Sequence, residues 1–177
     1  MNAKCRNPGG RPGPGVQGAV LVELALLLPI LLTLTLVTVE FSQALANYKL
    51  IVNQVRSATR YLSTQAAGTG HAGAACLVTH GVISSSTPCP GAALLTGFGQ
   101  SGFRVSVADA VNAPATHRSQ RSSTDLTDSA ATTVNLVSVT ASGYRHQLRF
   151  AAFLPGAESG ASTLEFGPVS MTMRQTL

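Results

Sequence analysis

The stretch QGAVLVELALLLPILLTLTLV, Gln17–Val37, opens on Gln17 and Gly18 and then runs apolar, interrupted by Glu23 and Pro29. At about 1.5 Å per residue a helix from Ala19 to about Val39 is about 30 Å long, the thickness of a bilayer's hydrocarbon core. Lys4, Arg6 and Arg11 precede it and no acidic residue does. The excess of positive charge predicts that the N-terminus stays in the cytoplasm and that the chain beyond the span lies outside. Residues 1–18, MNAKCRNPGGRPGPGVQG, are a basic leader so rich in glycine and proline that no helix is expected there. Within the apolar run, Pro29 reads as a bend, tolerated because neighbouring helices and local geometry re-satisfy the carbonyl it frees.

The helix is expected to continue past the membrane over residues 40–64. Phe41, Leu45, Tyr48, Val52, Val55, Thr59 and Leu62 recur at spacings of four and three, with Gln43, Asn47, Lys49, Asn53 and Arg56 off that seam. Such a stripe can pack on the chain's own sheet, on neighbouring subunits, or on each at a different end. The helix should end near Ser63–Gly68. Residues 65–177 read as a small β-rich domain with period-2 strands at Phe103–Val107, Thr133–Thr140, His146–Phe153 and Val169–Met173. Residues 116–132, THRSQRSSTDLTDSAAT, lack an apolar face and read as a solvated loop. The fold class is therefore α+β: a long N-terminal helix, transmembrane in its first half and amphipathic in its second, followed by a small antiparallel sheet.

Composition narrows the function. Of the net charge of +5 in 177 residues, three units lie in the leader, which leaves +2 after Gly18. Those arginines are scattered without interleaved aromatics, so nucleic-acid binding is not expected. Cys76 and Cys89 lie in the exported region, where an intrachain disulfide would close a short loop worth about 3 kcal/mol. Two free thiols, or a bridge between chains, remain open. Cys5 suggests no role, since MNAKC lacks the apolar residues of a lipoprotein signal. GFGQSG, Gly97–Gly102, has the glycine spacing of a dinucleotide fingerprint, but it precedes a strand-like run instead of opening a helix. His71, Cys76, His80 and Cys89 are zinc-type ligands at no familiar spacing, and an oxidising compartment favours the disulfide. Serine, histidine and aspartate all occur, without a nucleophile elbow. No cofactor, metal, small-molecule substrate or catalytic residue is expected.

Glu23 is the residue to explain, because an ionisable group inside a bilayer costs about 2.5–3.5 kcal/mol and calls for a partner. Gly18 ends the leader, Ala19 follows, and Glu23 is the fifth residue counted from Ala19. This arrangement resembles the processing region of type IV prepilins, in which a membrane peptidase cuts after the glycine. There the glutamate pairs with a neighbouring subunit's new N-terminal amine. Gly18, the VEL around Glu23, Leu28–Pro29, VEF at Val39–Phe41, and VRSATRY with Arg56 and Arg60 extend the resemblance to TadE-like proteins. These are minor pilins or pseudopilins of the tight-adherence (Flp) pilus. That family usually carries an aromatic after the glutamate, where this chain has Leu24. The resemblance implies a pilin-like, non-enzymatic subunit of the bacterial inner membrane that supports adhesion and biofilm formation. It implies processing at Gly18 and Ala19 and assembly through Glu23. Its partners would be a prepilin peptidase, other pilins and pseudopilins, an inner-membrane assembly platform, and membrane lipid.

A rival reading takes the N-terminus as a secretory signal. Ala44–Ala46 fits a signal-peptidase site, and cleavage after Ala46 would release a binding domain starting at Asn47. Against it, the apolar run exceeds the ~7–15 residues of a signal core, contains Glu23, and is separated from the site by Glu40 and Phe41. An uncleaved single-pass anchor is a third option.

Overall fold

The computed structural model describes residues 14–99, 101–121, 133–150 and 163–176. Cys5, residues 122–132 of the expected loop and residues 151–153 of the expected third strand lie outside them.

Helix α1, Pro14–Ser63, is unbroken through Pro29. It starts within the segment expected to be irregular; a proline fits a first helical turn, where its missing N–H leaves no bond unmade. Inside the apolar stretch the hydroxyls of Thr33, Thr35 and Thr38 donate to the carbonyls of Ile30, Leu32 and Thr35. Each threonine thereby satisfies its hydroxyl within the helix, as a bilayer requires.

Strand β3, Thr133–Ser142, forms the middle of the sheet. It pairs antiparallel with β1, Arg104–Ala108, on one side and with β6, Val169–Gln175, on the other. The short β2, Gln120–Arg121, pairs with the start of β3. In β3 the inward residues Val137, Val139 and Ala141 are buried, as alternation predicts. They pack against Ile51, Val55, Ala58 and Leu62 of α1. The far end of α1 is closed by the last strand: Thr176 donates its N–H and hydroxyl to the Ser63 carbonyl, and Gln175 Nε2 donates to the Gln65 carbonyl. These donors satisfy carbonyls that a helix end leaves without partners.

Two short helices were not anticipated: α2, His71–His80, and α3, Pro114–His117. In α2 the buried face is Gly73, Ala74, Cys76 and Val78. Cys76 is joined to Cys89 by a disulfide with Cα atoms 5.4 Å apart. Of the expected third strand, Arg145–Gln147 forms β4, which pairs with β5, Thr163–Glu165, in a separate two-stranded ribbon. Leu148–Phe150 are not strand, because the amides of Arg149 and Phe150 turn to the Glu40 side chain of α1 instead of a ladder.

The expected seam on α1 holds at one end only. Val55, Thr59 and Leu62 are buried, but Phe41, Leu45 and Tyr48 are 61%, 43% and 39% exposed. Toward the membrane the inward stripe is Glu40, Ala44 and Ile51, rotated from the large apolar residues. Ala44 is small enough for close approach, and Glu40 is bonded, so the bulky side chains are left facing out.

A chain of ring contacts ties the ribbon to the rest. Tyr48 meets Phe166, Phe166 stacks on Tyr144, and Tyr144 meets Phe98 and Phe103 edge-on, with centroids 5.5 to 6.5 Å apart. Gly97, in the glycine-rich motif, lies in a 3-10 turn under the Tyr144 ring, which a Cβ would strike. Gly143, in the β3–β4 turn, has φ +76° and a Cβ there would collide with the Gly102 carbonyl. Gly143→Ala should lower stability by about 2–3 kcal/mol, read as the urea midpoint of the detergent-solubilised protein.

Candidate functional site

Gly18, Ala19 and Glu23 lie on one exposed length of α1. Glu23 is four residues beyond Ala19, about 6 Å along the axis. It makes no hydrogen bond or ion pair with any described residue. Around it Val20, Leu21, Val22, Leu24 and Leu26 are all more than half exposed. The helix is long and apolar enough to cross a membrane. A carboxyl group on such a surface has neither water nor a protein donor once the helix is surrounded by lipid. A cation brought by another molecule would relieve it.

A second cluster sits where the apolar stretch ends. Glu40 is 4% exposed and its Oε1 accepts the backbone N–H groups of Arg149 at 2.7 Å and Phe150 at 3.0 Å. Its Oε2 lies 3.5 Å from His146 Nε2, and neither atom has a hydrogen-bond partner within the described chain. On the other side of the ring, Asn47 Nδ2 donates to His146 Nδ1 at 3.1 Å and to the Tyr144 hydroxyl at 3.2 Å. A bonded acceptor at Nδ1 leaves the neutral ring's proton on Nε2, directed at Glu40. Glu40 thus fastens the residues after β4 to the helix where the apolar stretch ends. Only VEF, Val39–Phe41, hinted at it in sequence.

The remaining polar residues clasp the domain. Asp109, 1% exposed, accepts from the N–H groups of Gly68, Val111 and Asn112, and its Oδ2 is 2.6 Å from His71 Nε2. Burial by itself raises the Asp109 pKa, but the Asn112 and Gly68 amides, the His71 imidazole and the Val111 amide outweigh it and hold it at about 2. His117 bonds Ser138 and Thr116 instead. Among the described residues no hydrogen-bond chain links a serine, a histidine and an aspartate. The disulfide occupies both thiols of the zinc-type set, and His71 is turned to Asp109.

Residues 18–60, about a quarter of the chain, match the family model for TadE-like protein. The match begins at Gly18 and takes in both Glu23 and Glu40. The likeness to TadE-like protein is confined to this helical segment. No curated protein and no solved structure matches the chain.

Proposed function

We propose that the protein is a TadE-like minor pilin or pseudopilin that takes part in assembly of the tight-adherence pilus, and through it in adhesion and biofilm formation. It sits in the bacterial inner membrane with its N-terminus in the cytoplasm and residues 65–177 outside. A prepilin peptidase cuts after Gly18, and the new Ala19 amine and the Glu23 carboxylate of adjacent subunits neutralise each other as subunits pack through their apolar helices. The assembly platform and other pilins or pseudopilins are its partners.

The observation that carries this reading is Glu23: a carboxyl group unpaired among the described residues, on an exposed apolar length of helix inside the segment that matches the family model. The alternative cleavage after Ala46 fits poorly. It would cut α1 between Ala46 and Asn47 and remove the Glu40 that holds Arg149 and Phe150. The mature N-terminus, measured by intact mass from the native cell, is expected at Ala19. A start at Asn47 would leave a secreted domain, and an intact Met1 a membrane anchor.

Glu23→Ala is expected to be inserted and cleaved normally while its crosslinking to other pilins falls by about tenfold or more, because the neighbour's amine is left buried without a counter-charge. Unchanged crosslinking and piliation would reject the pairing.

A further inference from the structure

Two cavities open side by side at the end of the apolar stretch, and the segment 146–150 divides them. Leu148 and Phe150 line the first, a space of about 140 Å³ closed by Leu36, Val37, Phe41 and Leu164. His146, Gln147 and Arg149 line the second, about 380 Å³, together with Gln43, Asn47 and Arg145. The first is lined almost wholly by hydrocarbon, with Glu40 on its wall; the second mixes hydrogen-bond donors and guanidinium groups with Leu94, Leu95 and Tyr144.

Their depths suit one molecule. The apolar slot draws on helix residues 33–44, within and just beyond the hydrocarbon-length stretch. The groove draws on helix residues 43–47, about 6–12 Å beyond Val39, the level of the headgroups. His146, with a side chain 9% exposed, lines the groove, and Glu40, 3.5 Å from its Nε2, lines the slot.

Charge selects the headgroup. Glu165 lies 3.4 Å from Arg145 and engages part of its charge. Glu40 gives its Oε1 to backbone amides. Arg149 pairs with no acid among the described residues, and it lines the groove. We propose that this junction holds one anionic phospholipid of the leaflet on the domain's side, its phosphate at Arg149 and Arg145 and an acyl chain in the slot. Asn47 and Gln43 supply neutral donors to the phosphate, and a choline cation gains nothing there. The proposal rests on α1 crossing a bilayer but not on processing or pilus assembly, so a mature start other than Ala19 leaves its test unaffected.

Full-length protein in mild detergent, stripped of lipid, would be titrated with phosphatidylglycerol and with phosphatidylcholine and read by native mass spectrometry. One phosphatidylglycerol is expected to be retained at least about fivefold more tightly than phosphatidylcholine. Arg149→Gln should remove that preference. Val37→Trp, at an exposed position, should fill the slot and weaken both lipids, while Arg118→Gln, at the far end of the domain, should change nothing. Equal retention of the two lipids, or retention indifferent to Arg149→Gln, would overturn the proposal. So would displacement of the lipid by millimolar inorganic phosphate, which would make the groove a free-anion site. A lipid-free dimer abolished by Val37→Trp would assign the slot to a second copy of the chain and overturn it equally.

Discussion

Asp109→Ala is expected to lower the stability of the protein by about 4 kcal/mol, the range for removing one member of a buried, bonded charge cluster. The mutation deletes one acceptor but strands several donors. The amides of Gly68, Val111 and Asn112 lose their partner together, and His71 loses its own. Because the first two belong to segments 41 and two residues away, the turn leading into α2 and the loop after β1 loosen at once. Asp109→Asn should cost about half as much, since the amide oxygen still accepts on one side while its NH₂ faces donors on the other. The pH dependence carries a matching signature. The pKa is lowered on folding from 3.8 to about 2, so this group's contribution is complete above pH 3.8 and is lost as pH falls through about 2. It amounts to about 2 kcal/mol. Urea titrations of wild type and Asp109→Ala between pH 5 and 2 should converge by roughly that amount; parallel curves would mean that the folded carboxyl group is not held in its ionised form.

Glu40→Ala should detach the corner of the domain beside the apolar stretch, at a cost of about 3 kcal/mol, from two amides left without an acceptor and a buried histidine that loses its neighbouring carboxylate. The loss is local. Hydrogen exchange at Arg149 and Phe150 should accelerate by about a hundredfold, while the amides of β3 and β6 keep their protection. Glu40→Gln retains one carbonyl oxygen able to accept both N–H groups, and should restore most of that protection. If Glu40→Ala left exchange at both amides unchanged, the anchoring role would be lost. The role matters because the β4–β5 ribbon otherwise reaches α1 through the aromatic chain from Tyr48 to Tyr144.

The elements that sequence made legible are those whose cause is local. The apolar run of α1 declares itself by length, and β1, β3 and β6 by alternation over five to ten residues. Helix α2 was missed because its buried face is Gly73, Ala74, Cys76 and Val78, small residues with weak periodic contrast. Its one readable signal was the stop at Gly81, whose φ of +72° suits a helix C-terminus and whose N–H returns to Leu77. The rotation of the seam at Phe41, Leu45 and Tyr48 was hidden because it depends on Glu40 finding amides more than a hundred residues away. Glu23, by contrast, stands out in sequence for the reason it stands out in the structure: it is a carboxyl group on an apolar stretch of helix, with no partner among the described residues.

The closure of α1 by Thr176 and Gln175 has a consequence for the order of events during biogenesis. The helix is made first, yet its end is sealed by the last strand, which also covers one edge of β3. Until that strand has been made, the inward stripe from Ile51 to Leu62 has only part of its cover, and the pairing that spans the chain cannot form. A chain caught midway therefore shows an unfinished surface. Pairing of β6 with β3 becomes the step that completes the domain.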